Sequence, residues 1–217
     1  LRRAEKEFGV RTGLIVCGIR NMSPETSLEL AALTVAYKGR GVVAFDLAGA
    51  EYNFPAKKHK EAFYKVIDAH VGATIHAGEA YGAESIAQAL HYCRADRIGH
   101  GTRLYEDPEL EQYITDRRIP LEICLTSNVQ TKAVPSYEAH PVRRYFDLGI
   151  VVSLNTDNRL MSATTLTEEY WLAHKRLGFT RKEIDQMLVY GFESAFLPWR
   201  GKQALVAQVR KQLGALK

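Results

Sequence analysis

Short apolar runs alternate with amphipathic segments along most of the chain. Six of the runs have the length of a β-strand, and they cover residues 11–19, 41–47, 72–76, 97–100, 119–125 and 150–154. Runs that are continuously apolar are typical of strands buried on both faces of a sheet. Strands that alternate with helices predict a parallel sheet with right-handed crossovers.

Helix signals fill the intervals between these runs. Ser23 and Pro24 supply an N-cap and a first helical residue, and Leu28 and Ala32 follow at helical spacing. A helix is predicted over 56–70, and residues 126–139 are predicted to form a long loop. Beyond residue 158 the pattern predicts helices only.

Polar residues with catalytic potential follow three of the predicted strands. His76 and Glu79 end one strand, His100 ends the next, and Asp157 follows the last. Strand ends converge on one mouth in a (β/α)8 barrel, whereas an open doubly wound sheet offers only a crevice. We therefore expect a (β/α)8 TIM-type barrel of the metal-dependent hydrolase kind, with six of its eight βα units present.

The beginning of the chain resembles the last turns of a helix that Gly9 stops, and it has no initiator Met. Together with the count of six units, this predicts that the first two βα units are missing. Residues 1–217 would then be a single catalytic barrel domain, corresponding to about the C-terminal two-thirds of the complete barrel.

Composition restricts the class of protein. The chain is 46% hydrophobic and 25% charged, with a net charge of +4 from scattered Lys and Arg residues, which argues against nucleic acid as a partner. No apolar run approaches the length that spans a bilayer, so no membrane partner is expected. The three cysteines form no C-x-x-C pair, which favours free thiols and a cytoplasmic protein.

The residue types at the strand ends suit zinc, which takes imidazole and carboxylate ligands and in catalytic sites usually has three protein ligands. Each residue also has an ordinary explanation, since His100 lies between two glycines that favour a turn and Asp157 could cap a helix. Glu79 is either a solvated loop acid or a general acid/base beside the metal. Gly49 is either a turn residue or a backbone N–H that faces a flat ligand.

Five motifs in order carry a resemblance to a known family: D-L-A-G at 46–49, H-A-G-E at 76–79, R-I-G-H-G at 97–101, C-L-T-S-N at 124–128 and S-L-N-T-D at 153–157. This set resembles the adenosine deaminase family of the amidohydrolase superfamily. The resemblance implies one Zn²⁺ per active site, with His76 and Asp157 as metal ligands and Glu79 and His100 as catalytic residues. Glu79 would protonate purine N1, and His100 would hold and polarise the attacking hydroxide. The Gly49 N–H would bind purine N3.

Two positions depart from the family pattern. The H-x-H pair that supplies two further zinc ligands has no counterpart, because no histidine precedes His59. The family commonly has a second Asp after the zinc aspartate, touching purine N7, and here that substrate-binding position is Asn158. We expect Asn158 to be a working substitute, since an amide donates a hydrogen bond at any pH.

The resemblance implies zinc-dependent hydrolytic deamination of adenosine or 2'-deoxyadenosine to inosine or 2'-deoxyinosine plus ammonia. The partner would be a small-molecule purine nucleoside. Alternatives are a deaminase of a modified adenosine such as 6-aminodeoxyfutalosine, a deaminase of adenine, and a catalytically dead truncated remnant. Because an incomplete barrel leaves strand edges unpaired, we also expect association with the missing N-terminal segment or with a second copy.

Overall fold

The computed structural model describes residues 1–216, so Lys217, the last residue of the predicted domain, lies outside the described residues. Six parallel strands form one sheet: β1 (Leu14–Ile19), β2 (Val42–Ala48), β3 (Gly72–Ala77), β4 (Arg97–His100), β5 (Leu121–Ile123) and β6 (Val152–Leu154). Each strand pairs with its neighbour in sequence, from β1 to β6 without a reversal. A doubly wound sheet would reverse its order at a switch point, so this order confirms six units of a (β/α)8 barrel. Within the described residues, β1 pairs only with β2 and β6 only with β5.

The helices follow the predicted alternation and then continue alone: α1 (Arg2–Phe8), α2 (Pro24–Ala36), α3 (Lys60–Asp68), α4 (Ala83–His91), α5 (Pro108–Arg117), α6 (Leu125–Gln130), α7 (Val142–Asp147), α8 (Arg159–Ser162), α9 (Leu166–Leu177), α10 (Arg181–Glu193) and α11 (Trp199–Ala215). Short 3-10 turns precede α3 and α5, at Ala56–His59 and Leu104–Glu106. Gly9 ends α1 in the left-handed conformation, as predicted. No helix within residues 1–216 is long and apolar enough to cross a membrane.

The core lies between the strands and the helices that cover them. Phe45 of β2 and Phe63 of α3 are fully buried, and their rings pack edge-on with centroids 5.2 Å apart. Ile75, Ile98 and Ile123 extend the same core along the next three strands. Burying one such side chain contributes roughly 2 kcal/mol, so this core holds the carboxyl ends of the strands in place.

Three local predictions were wrong, one because a strand has a single neighbour among the described residues and two because of a contact distant in sequence. Strand β1 is not buried on both faces, since it pairs with one strand only and Leu14 is 48% exposed. Helix α2 buries Ser27 in place of the exposed Leu28, because the Ser27 hydroxyl lies 2.8 Å from His59 Nδ1.

The third error lies after β5, where the predicted strand over 119–125 ends at Ile123. The predicted loop begins instead with helix α6, and the buried Glu169 carboxylate of α9 accepts the Thr126 N–H at 3.2 Å. A carboxylate that accepts a first-turn N–H stabilises a helix, and here the acceptor lies 43 residues away.

Candidate active site

His76 lies at the carboxyl end of β3 and is held by a neighbouring carboxylate. Its Nδ1 lies 3.1 and 3.0 Å from the two carboxylate oxygens of Asp46, near the end of β2. Burial alone would lower the pKa of His76, but the hydrogen bond and the charge of Asp46 raise this pKa to about 9. A carboxylate on one ring nitrogen fixes the imidazole orientation and leaves Nε2 to face the site.

Close contacts on two sides restrict the backbone at His76. A Cβ at Gly99 would lie 3.2 Å from the Cα of His76, so a glycine is needed for β3 and β4 to approach this closely. On the other side, the buried guanidinium of Arg20 donates to the His76 carbonyl oxygen at 2.7 Å. The backbone of His76 therefore has little freedom to move relative to its neighbours.

Glu79 sits in a loop that a second acid organises. The buried carboxylate of Glu51 accepts the backbone N–H groups of four consecutive residues: Gly78, Glu79 (3.0 Å), Ala80 (2.6 Å) and Tyr81 (3.0 Å). Hydrogen bonds to a charged acceptor are the strong ones, so Glu51 fixes the backbone from which Glu79 projects.

The carboxylate of Glu79 faces His100 and α6. One oxygen accepts a hydrogen bond from Thr131 Oγ1 at 2.9 Å, and the other lies 3.6 Å from His100 Nε2. His100 is almost fully buried, and its ring centroid is 5.1 Å from that of His76. Burial is the largest influence on the pKa of His100 and lowers it. The two strand-end histidines and the predicted proton carrier therefore meet in one place.

A chain of buried polar side chains continues behind His100. Its Nδ1 lies 3.0 Å from Asn128 Nδ2, and Asn128 Oδ1 lies 3.2 Å from His140 Nε2. Burial lowers the pKa of His140 to about 3, with a smaller effect from the nearby His100. His140 is therefore neutral at physiological pH.

Asp157 and Asn158 lie just beyond β6 and are exposed. Asp157 adopts a left-handed backbone conformation, with φ of 52°, and one carboxylate oxygen accepts a hydrogen bond from Ser127 Oγ at 2.7 Å. Asn158 caps α8, and its Oδ1 accepts the Met161 N–H at 3.2 Å. This cap leaves the Asn158 NH2 group as the donor for a ligand.

Gly49 follows β2 on the same end of the sheet. Its φ of 91° is in the region that favours glycine, and a Cβ there would lie 2.9 Å from a methyl carbon of Ile19. Both facts account for glycine at this position without a ligand. Its contact with a purine stays a prediction.

The donor types at this end of the sheet suit zinc, since His76 offers Nε2 and Asp157 offers a carboxylate. Their number does not complete a site. Within residues 1–216 no group of three or more His, Cys, Asp or Glu side chains is placed to hold a metal ion, and catalytic zinc usually has three protein ligands. His76 and Asp157 thus fit part of a zinc site, and the remaining donors are not among the described residues.

Comparison with known proteins agrees with this geometry. The adenosine deaminase family model matches residues 1–212. The chain belongs to the adenosine deaminase family. Over 196 residues it is 42% identical to an adenosine deaminase from Clostridium acetobutylicum, covering 90% of this chain and 58% of that protein. A probable adenosine deaminase from Dictyostelium discoideum is 42% identical over 194 residues, which cover 89% of this chain and 25% of that protein.

Solved structures of two other deaminases show the same fold. An adenine deaminase from Arthrobacter aurescens superposes with a TM-score of 0.92 at 28% identity, covering 99% of this chain and 65% of that one. The N6-methyl-AMP deaminase of Arabidopsis thaliana gives a TM-score of 0.83 at 27% identity, covering 94% of this chain and 58% of that one. The chain therefore spans about three-fifths of the length of these relatives, except for the longer Dictyostelium protein, of which it spans 25%.

Sequence reasoning placed the family's main polar residues at one end of the sheet and missed the groups that hold them. The structure adds Asp46, Glu51, Ser127, Asn128 and His140. Asp46 had a usable signal, because it is the acid of the D-L-A-G motif near the end of a predicted strand. Ser127 and Asn128 lie in the C-L-T-S-N motif, but sequence reasoning assigned no role to either. Glu51 contacts Ala80 across 29 residues and His140 contacts Asn128 across 12, so no local pattern marks these two contacts.

Proposed function

We propose that this chain carries the proton-handling part of a zinc-dependent purine deaminase, acting on adenosine or 2'-deoxyadenosine to give inosine or 2'-deoxyinosine and ammonia. One observation carries the proposal. The Glu79 carboxylate lies 3.6 Å from His100 Nε2, with the His76 ring next to it, at the strand ends of a barrel in this family.

In this proposal the purine 6-amino group is replaced by oxygen from water, and each residue of the chain has a defined part. Glu79 delivers a proton to ring N1 while water adds at C6, and one proton of that water restores the Glu79 carboxylic acid. The second water proton passes to the 6-amino group, and the C6–N bond breaks as ammonia leaves. His100 holds the attacking oxygen by a hydrogen bond. Gly49 and Asn158 contact N3 and N7 and so orient the ring.

His76 and Asp157 would hold the zinc ion, together with donors that the described residues do not contain. When bound, zinc supplies a water molecule whose pKa is lowered toward neutrality. The chain spans only part of its relatives, so we infer that closure of the barrel and of the metal site requires the first two βα units or a second copy.

Several purines other than adenosine could be the substrate of the proposed reaction. Two structural neighbours are an adenine deaminase and an N6-methyl-AMP deaminase, so adenine and N6-methylated adenosine derivatives stay alternatives to adenosine. The modified adenosine 6-aminodeoxyfutalosine, which keeps a free 6-amino group, is a further alternative.

The test is a purine absorbance assay on the chain supplied with an upstream segment that contains H-x-H, in added zinc. Adenosine, adenine, N6-methyl-AMP and 6-aminodeoxyfutalosine are compared by kcat/KM. We expect adenosine to give the highest value, and Glu79→Gln to remove it. A preference for another purine would change the substrate, and no turnover of any purine would favour a catalytically dead remnant.

A further inference from the structure

The hydrogen-bonded side chains behind His100 end at His140, and the hydrogen-bonding role of its Nδ1 is fixed. The backbone N–H of Val142 lies 3.1 Å from His140 Nδ1, and a backbone N–H can only donate. His140 Nδ1 is therefore an acceptor. A neutral imidazole carries one proton, so in His140 that proton is on Nε2.

The fixed tautomer of His140 determines the orientation of the next side chain. Because His140 Nε2 donates, the Asn128 atom 3.2 Å away must be its carbonyl oxygen. The NH2 group of Asn128 then faces His100 Nδ1 at 3.0 Å and donates to it. His100 Nδ1 is thereby an acceptor, and its ring proton lies on Nε2.

We infer that Asn128 and His140 are positioning residues that hold the proton of His100 on Nε2, so that this nitrogen donates a hydrogen bond to an oxygen at the reacting centre and accepts no proton from it. The inference deepens the proposed function and rests on it for the identity of that oxygen. Among the described residues of this site, Glu79 is then the proton carrier.

The three hydrogen-bonded side chains are almost completely buried. Asn128 is 0% exposed, His100 2% and His140 3%, so water does not compete for these groups. In a buried network a donor that faces a donor is costly, which disfavours the alternative tautomer. With the proton on Nδ1, moreover, His100 would present a lone pair to the nearby Glu79 carboxylate.

The test reads the tautomer directly. The 217-residue chain is labelled with 15N-histidine, and long-range 1H–15N correlation spectra are recorded at pH 8. The His100 signals are identified among the seven histidines by their loss in His100→Gln. We expect His100 to be protonated on Nε2, and a proton on Nδ1 in the unsubstituted chain would overturn the inference.

Asn128→Asp is the decisive variant. A carboxylate can only accept, so His100 Nδ1 must become a donor and the protonated nitrogen should change. Gln112→Glu, an exposed amide-to-acid change on α5, is the control and should leave the His100 signals unchanged. If the protonated nitrogen stays Nε2 alone in Asn128→Asp, the inference is wrong.

A second pair of variants tests His140 should Asn128→Asp not fold. His140→Gln keeps a donor near the position of Nε2, whereas His140→Leu removes it. We expect the His100 signals of the Gln variant to match the parent, and the Leu variant to show both tautomers. Equal spectra for the two variants would contradict the role of His140.

Activity separates this inference from the proposed function. In the deaminating form, Asn128→Asp should lower kcat by about 100-fold, the order of effect of losing one preorganised donor, with KM changed less than about threefold. The spectra need neither metal nor substrate. An Nε2 proton without any deamination would overturn the function alone, and deamination with an Nδ1 proton would overturn the inference alone.

Discussion

The two sides of the candidate site are built very differently. On the side of β3, β4 and α6, Glu79 and His100 have partners that are themselves buried, including Glu51 and Asn128. On the side beyond β6, Asp157 itself is exposed, although its hydrogen-bond partner Ser127 on α6 is buried. The first side is preorganised within this chain, and the second faces the unpaired edge of the sheet.

The difference separates the requirements of proton transfer from those of metal binding. Proton transfer needs groups with fixed geometry and fixed tautomers, and the described residues supply both. Metal binding needs at least three converging donors, and within residues 1–216 the proposal assigns two, His76 and Asp157. We therefore expect substitutions on the first side to be severe on their own and those on the second to depend on whether the barrel is complete.

The largest effect is expected at Glu79. In the zinc-loaded, deaminating form, Glu79→Gln removes the proton carrier while keeping the hydrogen bond from Thr131, so kcat should fall by about 10³-fold or more. Zinc content should stay unchanged, because Glu79 is not a metal ligand in the proposal. A variant that keeps a tenth of the parent kcat would show that the buried side is not the proton-handling side.

Glu51 tests the preorganisation of that side. Glu51→Gln replaces a carboxylate that accepts four backbone N–H groups by an amide, and should lower the free energy of unfolding by about 3 kcal/mol. Denaturant unfolding of the 217-residue chain measures it. Glu29→Gln, an exposed acid on α2, should change stability by less than about 0.5 kcal/mol. Equal values for the two variants would contradict the role of Glu51.

His140 predicts a pH dependence of stability. Its pKa of about 3 in the folded chain lies below the ordinary value of 6.5, so between these values the unfolded chain binds more protons. The contribution of His140 to the free energy of unfolding should therefore be constant above pH 6.5. Below pH 6.5 it should fall by up to about 1.4 kcal/mol per pH unit. His140→Gln should flatten this slope, and an unchanged slope would show that His140 is not held neutral.

The smallest effect is expected at Asn158 on the exposed side. Its oxygen caps α8, and its NH2 group remains for a ligand, whereas an Asp would donate only when protonated. In the deaminating form, Asn158→Asp should give substrate affinity no tighter than the parent at pH 7. A large gain in kcat/KM would show that Asn158 is a defect and not a substitute.

The sequence predicted the fold well, because strands and helices depend on local patterns. The roles assigned to the site residues stay predictions. Continuous apolar runs identified the strands, and strand ends located His76, His100 and Asp157. The supporting groups were not predictable in the same way. Glu51 contacts its loop across 27 residues, and Glu169 reaches the first turn of α6 across 43.

Long-range contacts also explain the errors in burial. Ser27 replaces Leu28 on the inner face of α2 because its hydroxyl forms a hydrogen bond with His59. A helical wheel of α2 contains no information about a histidine in another element. Strand β1 is half-exposed because its second neighbour is not among the described strands, although its apolar sequence matches that of a buried strand.

Zinc content and turnover of the 217-residue chain test the central claim most directly. Metal analysis after dialysis, followed by an adenosine absorbance assay in added zinc, should find well below one zinc per chain and no steady turnover, since two donors do not make a catalytic zinc site. Adding an upstream segment that contains an H-x-H pair should give both. Stoichiometric zinc and steady turnover from the monomeric chain alone would contradict the division of the site proposed here.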